Sequence, residues 1–179
     1  MRVIDRRRGL PVALGILYLH AATAQGWDAA GVNFPGHFLL RLDAAGKRVL
    51  IDPFDGGRTL DAAELRRLLK RAVGEEAELR PLHMAGMTTR DVLLRLLNNL
   101  KGRALKAGDI ERSAAVLRRM TLIAPRHALS WAELGWIEWK VGNARRAIAA
   151  LESYLALDAD GKGHRHAAEL IQRIKRQLN

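Results

Sequence analysis

Apolar residues in the first half of the chain occur in short runs separated by turn residues, and the runs differ in periodicity. The run 10–24 is almost wholly apolar and contains Pro11, which suits a first helical turn because proline lacks the N–H that such a turn leaves unpaired. This run predicts a buried helix. Further along, Asp61 and Glu64 have the spacing of a capping box, which predicts a second helix over Ala62–Val73.

Between and after these helices the pattern changes to short strand-like pieces. Residues 31–34, 37–42 and 48–53 predict three strands, and the turn at 43–47 joins the last two as a hairpin. A further strand is predicted over 77–82. The first half is therefore expected to mix α and β structure.

From Thr89 onward the pattern is helical only, and it repeats. A shift of 34 residues superposes Leu97 on Trp131, Leu100 on Leu134, Ser113 on Ala147, Leu117 on Leu151, Gly108 on Gly142 and Asp109 on Asn143. This period, with a small residue facing a large one, resembles tetratricopeptide repeats. Pro125 falls at the closing proline of the repeat, whereas Lys101 and Met120 depart from the usual small residues. The basic amphipathic helix predicted over His164–Leu178 would cap two repeats.

In tetratricopeptide repeats the first helix of each pair lines a concave groove, and the resemblance transfers that role to both copies. The first copy supplies Arg95, Asn98, Leu105 and Lys106, and the second supplies Leu129, Ala132, Trp136, Trp139 and Lys140. Exposed tryptophan beside arginine and lysine is typical of peptide-binding hot spots. Packing of Trp136 and Trp139 against the first domain is the alternative.

Three stretches of the first half resemble a known family. They are Arg-Arg-Arg-Gly-Leu-Pro at 6–11, Gly-Val-Asn-Phe-Pro-Gly-His-Phe-Leu at 31–39 and Ile-Asp-Pro-Phe at 51–54. They are similar to the transglutaminase-like superfamily, specifically its bacterial SirB-type branch, which also carries C-terminal tetratricopeptide repeats. In active superfamily members a cysteine opens the buried helix, a histidine begins a following strand and an aspartate begins the next. The resemblance assigns the last two positions to His37 and Asp52.

The cysteine position of that pattern falls at or beside Pro11, and the sequence contains no cysteine. A cysteine attacks as its thiolate when a histidine takes its proton, and proline offers no such group. Residues 1–89 also contain no serine, and their threonines lie away from the start of the helix. The sequence therefore predicts a pseudoenzyme without thiol-type acyl transfer.

His37 and Asp52 have three open interpretations. In the first, Asp52 accepts a hydrogen bond from His37 and thereby joins two strands. In the second, the pair is a residual dyad that acts as a general base or holds a small ligand. The third is a metal site completed by His20 or His83, but no paired-histidine spacing supports it in this half, so we expect neither metal nor cofactor.

Two further segments are candidate binding elements. The loop before His37 is a candidate cleft lining, although a rigid corner explains it equally well. Its residues are Asn33, Phe34, Pro35 and Gly36. The triplet 6–8 could contact phosphate or an acidic peptide, or hold carboxylates and carbonyl groups at a domain edge.

Composition and charge narrow the class of protein. With 49% hydrophobic residues and no cysteine, the chain can form a core but no disulfide. It has neither a membrane-spanning run nor a secretory signal, which favours a cytoplasmic protein. The formal net charge is +11, of which residues 1–89 carry +3 and the remainder +8. This asymmetry suits an acidic partner or nucleic acid, but aromatic residues are only 5%, so stacking platforms are scarce.

Together these observations predict an α+β protein with two domains. Residues 1–88 form a transglutaminase-like domain and residues 89–179 form two repeats with a capping helix. The predicted function is non-catalytic binding of an acidic protein segment in the repeat groove. A residual hydrolase or small-ligand site at His37 and Asp52 is the alternative, and nucleic-acid binding is a second one. The helix over 10–19 carries apolar surface that a second copy of the chain could cover, so a homodimer is a further hypothesis.

Overall fold

The computed structural model describes residues 9–44, 46–158 and 163–178. The chain divides into two compact units, of which the first ends at Leu93 and the second begins at Leu94. The predicted α+β class is confirmed. The arginine triplet 6–8 lies outside the described residues.

The first unit combines two helices with a five-stranded antiparallel sheet. In chain order its elements are α1 (Pro11–Ala24), β1 (Asp28–Val32), β2 (Leu39–Ala44), β3 (Lys47–Asp52), β4 (Arg58–Leu60), α2 (Ala62–Val73), a 3-10 turn (Pro81–Met84) and β5 (Gly86–Met87). The strand order is β4-β3-β2-β1-β5, and the predicted hairpin is β2–β3. The strand predicted over 77–82 is wrong, because that segment ends in the 3-10 turn and the fifth strand lies beyond it.

Helix α1 approaches the sheet closely because Gly15 has no side chain. A Cβ atom at Gly15 would overlap the ring of Phe38, and one at Gly31 of β1 would lie 3.0 Å from the same ring. Two glycines thus accommodate the buried Phe38 between helix and sheet. On α1, Leu17 and Tyr18 are each 37% exposed, so the homodimer prediction remains open.

Helix α2 begins at the predicted capping box. The Asp61 carboxylate accepts a hydrogen bond from the Glu64 amide at 2.8 Å, and Glu64 accepts one from the Asp61 amide at 2.9 Å. The apolar face of the helix packs on the sheet. The core of this unit contains Val32, Phe34, Leu39, Leu50, Leu60, Leu65, Leu68 and Leu69.

The second unit is an array of helices. In chain order they are α3 (Thr89–Lys106, which begins in the first unit), α4 (Ile110–Ile123), α5 (Ala128–Lys140), α6 (Ala144–Leu157) and α7 (His164–Leu178). Gly135 of α5 packs against Leu151 of α6, and an added Cβ would lie 2.5 Å from Leu151 Cγ. This is the small-against-large packing that the 34-residue period predicts.

The repeated turns allow sharp reversals between helices. Gly108 and Gly142 adopt positive φ angles of 72° and 85°, a region that favours glycine. Asp109 then caps α4 by accepting a hydrogen bond from the Arg112 amide at 3.0 Å. Asn143 occupies the equivalent position before α6, but its side chain bonds elsewhere.

Candidate functional site

His37 and Asp52 lie at the same edge of the sheet. His37 precedes β2 by two residues, whereas Asp52 ends β3, and the antiparallel register pairs Leu40 with Ile51. The start of β2 and the end of β3 therefore meet. The family pattern led us to expect the aspartate at the beginning of a strand, so this expectation is corrected, although antiparallel pairing still brings the two residues to one edge.

A tight turn positions His37. Its backbone amide donates a hydrogen bond to the Phe34 carbonyl at 3.0 Å, and Gly36 has a φ of 71°. Proline at the second position and glycine at the third suit a type II turn. The imidazole is partly exposed.

The Asp52 carboxylate organises the turn that follows β3. Its Oδ1 atom accepts hydrogen bonds from the Phe54 amide at 2.8 Å and from the Asp55 amide at 3.4 Å. Both of these bonds come from the turn itself, and the three interpretations of His37 and Asp52 stay predictions. Asp52 is held as a turn-forming residue.

Pro11 lies at the first position of α1, where the resemblance places the nucleophile. Spacings of four and seven put Gly15 and Tyr18 on the same helix face as Pro11. Gly15 adjoins Phe38, and Tyr18 adjoins Gly57, whose ideal Cβ would lie 2.8 Å from the phenol oxygen. This face of α1 therefore lies towards the sheet edge. Its first turn carries the pyrrolidine ring of Pro11, which has no nucleophilic atom.

The loop before His37 divides between surface and core. Asn33 and Gly36 are exposed and Pro35 is partly buried, but Phe34 is only 1% exposed and belongs to the core. The prediction that Phe34 lines a cleft is therefore wrong, since an aromatic side chain at that point extends the apolar face of β1 and β2.

The two other histidines considered for a metal site lie elsewhere. His83 accepts a hydrogen bond from the Arg80 amide at 3.1 Å, and its ring lies edge-on to Phe34 with centroids 6.3 Å apart. His20 is an exposed residue of α1. Within the described residues, no group of three metal-ligating side chains comes together.

In the second unit, α3 and α5 share a solvent-facing surface, which we call the α3/α5 face. Asn98, Lys101 and Leu105 lie on one side of α3 by their spacing of three and seven. The corresponding side of α5 carries Leu129, Glu133, Trp136 and Lys140. An ion pair between Lys101 and Glu133 joins the two helices. Lys101, which departs from the small residue of the repeat pattern, thus connects neighbouring first helices.

The predicted groove residues differ in their exposure. Trp136 is 41% exposed, and Asn98, Lys106 and Lys140 are exposed as well. Arg95 is half-buried, and this burial lowers the pKa of its guanidinium. These positions remain candidate binding residues.

Trp139 departs from its predicted place in the groove. It is partly buried and packs against the cluster formed by α6 and α7, with its ring centroid 5.7 Å from that of Trp136. On a helix, positions three apart differ by about 60°, so Trp139 can support Trp136 while facing the core. We assign it to packing rather than to the open surface.

Sequence reasoning missed a buried carboxylate in the second unit. Glu138 of α5 is 1% exposed; its two oxygens accept hydrogen bonds from Arg118 Nε at 2.6 Å and from Asn143 Nδ2 at 2.8 Å. Burial raises the pKa of Glu138, but these bonds and the charges of Arg118 and Arg146 outweigh it and lower the pKa overall. The only signal in the sequence is an acidic residue on an otherwise apolar side of α5.

The fold and its motifs define the class of protein. A family profile described as the transglutaminase-like superfamily matches residues 1–98, and one described as a tetratricopeptide repeat matches residues 100–179. The chain therefore belongs to the transglutaminase-like superfamily and carries a C-terminal tetratricopeptide repeat region.

Its relatives refine that assignment. The chain is similar to a UPF0162 protein of Xylella fastidiosa strain Temecula1, with 33% identity over 159 residues, which cover 87% of this chain and 57% of the relative. A UPF0162 protein of Pseudomonas aeruginosa is 36% identical over 107 residues, which cover 60% of this chain and 38% of the relative. The SirB-type resemblance is confirmed. The chain spans less than two thirds of the length of these relatives.

None of the helices in the described ranges combines the length and the apolar character that crossing a bilayer requires.

Proposed function

We propose that this chain is a non-catalytic interaction protein whose α3/α5 face binds a segment of a partner protein. The observation that carries the proposal is Trp136, which is 41% exposed in the middle of that face. Trp139 packs beside it and limits its motion, so binding would cost little side-chain entropy. A tetratricopeptide repeat region is itself consistent with protein binding.

The chemistry of the α3/α5 face favours a segment with apolar and acidic residues. Leu105 and Leu129, which are 40% and 64% exposed, extend the apolar surface on either side of Trp136. The exposed Lys106 and Lys140 add positive charge at its border, while Glu133 is paired with Lys101. Such a mixture of aromatic anchor and basic rim fits an acidic peptide.

Photo-crosslinking tests this proposal. A crosslinking amino acid in place of Leu129, which lies on the same face as Trp136 and is 64% exposed, should capture a discrete protein from nuclease-treated lysate, whereas the same amino acid in place of Trp27 should not. Trp27 is a matched control because it is 49% exposed in the first unit. Trp136→Ala and Lys106→Glu should each abolish capture by the full chain, and Trp27→Ala and Lys47→Glu should leave it intact. If the Trp136→Ala variant still captured the same protein, the proposal would be contradicted.

A small-ligand or residual hydrolase site at His37 and Asp52 is the second candidate. It is favoured by the antiparallel register that brings the two residues to one edge of the sheet. Pro11 argues against covalent catalysis there, so any reaction would use His37 as a general base towards water. Turnover of a panel of ester and amide substrates tests this second candidate function. Equal turnover by wild type and His37→Ala would contradict it.

A further inference from the structure

Two adjoining cavities lie along α4 and α6, on the opposite side of α5 from Trp136. One has a volume of about 490 Å³ and a polar lining, and the other has a volume of about 470 Å³ and a mainly apolar lining. Arg118 and Arg146 line both, so they stand where the two cavities meet. Their shared border is a place where an anionic group and an apolar group could be held side by side.

Glu138 fixes the orientation of Arg118 at this border. The carboxylate is buried and binds Nε of the guanidinium, while Asn143 holds its other oxygen. Among the described residues this bond uses only Nε, which leaves the two terminal nitrogens of Arg118 for another acceptor. The Arg118 side chain is 40% exposed, so such an acceptor can come from solvent. A guanidinium held in this way is preorganised for a carboxylate.

The charges that surround this border leave cations available. Arg146 is exposed and forms no ion pair with a residue in the described ranges. Arg112 also lines the polar cavity, together with the acidic residues Asp109 and Glu111. Asp109 is engaged as the cap of α4, and Glu138 is engaged with Arg118, so Glu111 is the remaining anionic competitor.

The apolar cavity supplies the second half of the surface. Its floor contains Trp131 and Leu134 of α5, and Ala149 and Ala150 line it from α6. Leu122 of α4 lines it too and is 81% exposed, although it is a large apolar residue. A leucine-sized side chain would remove Leu122 and its neighbours from water, and such burial drives association.

We propose that this α4/α6 surface docks a segment of a partner protein that carries an acidic residue next to a large apolar one. The acidic side chain binds Arg118 and Arg146, and the apolar side chain enters the adjoining cavity against Leu122. Glu138 is a positioning residue, since it acts through Arg118. This surface is separate from the α3/α5 face, because positions 136 and 138 point about 160° apart around α5.

Fluorescence anisotropy with a labelled eight-residue peptide of alternating leucine and glutamate tests this proposal. The full chain should bind it, and replacing every glutamate by glutamine should weaken binding by about tenfold or more, as expected for lost charged hydrogen bonds. Replacing every leucine by alanine should also weaken it. No binding up to millimolar peptide, or no effect of the leucine replacement, would overturn the proposal. If inorganic phosphate displaced the labelled peptide as well as unlabelled peptide does, the surface would be a simple anion site, and the proposal would again be overturned.

Matched variants locate the binding. Arg146→Ala and Leu122→Ser should each weaken binding by roughly fivefold or more, whereas their exposed counterparts Arg145→Ala and Leu82→Ser, which lie outside both proposed surfaces, should leave it within about twofold. Equal losses in a variant and its counterpart would indicate unspecific attraction. Loss on Trp136→Ala with retention on Arg146→Ala would assign the peptide to the α3/α5 face, which overturns this inference but supports the proposed function.

Glu138→Gln separates positioning from general electrostatics. The substitution removes a negative charge, so unspecific attraction of an acidic peptide would increase. If Glu138 orients Arg118, binding should instead weaken by about threefold or more, with the helix content of the variant unchanged by circular dichroism. Tighter binding by a folded Glu138→Gln variant would contradict the positioning role.

Discussion

At the scale of single residues, Glu138 combines full burial with a negative charge. A buried carboxylate is tolerated only when its oxygens are hydrogen-bonded and a cation lies close. Arg118 and Asn143 meet both needs at 2.6 and 2.8 Å, and the pKa of Glu138 is lowered in spite of the desolvation that would raise it. The folded state therefore favours the ionised form of the Glu138 carboxyl group.

This linkage predicts a dependence of stability on pH. A carboxyl group whose folded pKa is depressed stabilises the fold above its unfolded value of 4.5, and that contribution disappears as the pH falls through the folded pKa. Near neutral pH, Glu138→Gln should lower the free energy of unfolding by about 1–3 kcal/mol. The variant should then lose less stability than wild type between about pH 5 and pH 3. Urea unfolding across that range measures both effects.

The control for this experiment is Glu152→Gln. Glu152 pairs with Lys175 at 3.2 Å, but both side chains are about half exposed, so the effect should stay within roughly 0.5 kcal/mol. If the Glu138→Gln and wild-type curves ran parallel below pH 5, the buried carboxylate would not be the linked group.

Gly15 is the second residue at which a substitution should have a clear effect on stability. Since a Cβ atom there would overlap the Phe38 ring, Gly15→Ala should destabilise the first unit by about 1–3 kcal/mol through overpacking. Gly102 of α3 is the matched control, because a Cβ atom there meets nothing within 4 Å. Gly102→Ala should therefore stabilise by about 0.5–1 kcal/mol. Thermal unfolding of both variants measures the two changes in stability, and changes in the same direction would contradict the close packing of Gly15 on Phe38.

At the scale of elements, the start of α2 depends on its capping box. Asp61→Ala removes the acceptor for the Glu64 amide and should cost about 1 kcal/mol. Glu76→Ala, at an exposed position outside the helices, should have almost no effect. Chemical denaturation measures the difference. A loss as small as that of the control would mean that water replaces the Asp61 side chain at no cost.

The elements that the sequence predicts correctly depend on local bonds. The capping box joins Asp61 and Glu64, which are three residues apart, and the turns with Gly108 and Gly142 recur with the 34-residue repeat. The segment 77–82 lacks such a local determinant. Its apolar side chains Ala77 and Leu79 still pack on the first core, but Pro81 cannot donate a ladder hydrogen bond and begins the 3-10 turn.

The candidate sites were less predictable because they join distant residues. Arg118 lies in α4 and Glu138 in α5, twenty residues apart, and no local pattern in the sequence predicts that they meet. Trp136 and Trp139 share a side of α5 within about 60°, so helical spacing alone could not decide which of them reaches solvent. Only the packing of α6 and α7 separates them.

At the scale of the whole molecule, ion pairs within the fold compensate part of the 30 lysine and arginine side chains, and the formal net charge is +11. Arg41 and Arg48 pair with Asp43, and their hydrogen bonds and charges lower its pKa, with Arg48 contributing most. Lys101 and Arg118 likewise face carboxylates. The excess charge that remains acts over long range, which attracts any polyanion without reading its sequence.

This distribution predicts how the chain responds to nucleic acid and salt. Binding to a labelled DNA duplex should be weak and independent of sequence, and it should fall steeply between about 50 and 200 mM salt because counterion release supplies the driving force. Capture of a protein through Trp136 should fall much less, since apolar burial is not screened. Anisotropy titrations at several salt concentrations, run beside the crosslinking experiment, compare the two. Sequence-dependent DNA binding that persists at moderate salt would favour nucleic acid as the ligand, and the exposed tryptophan would then act as a stacking platform rather than as a peptide anchor.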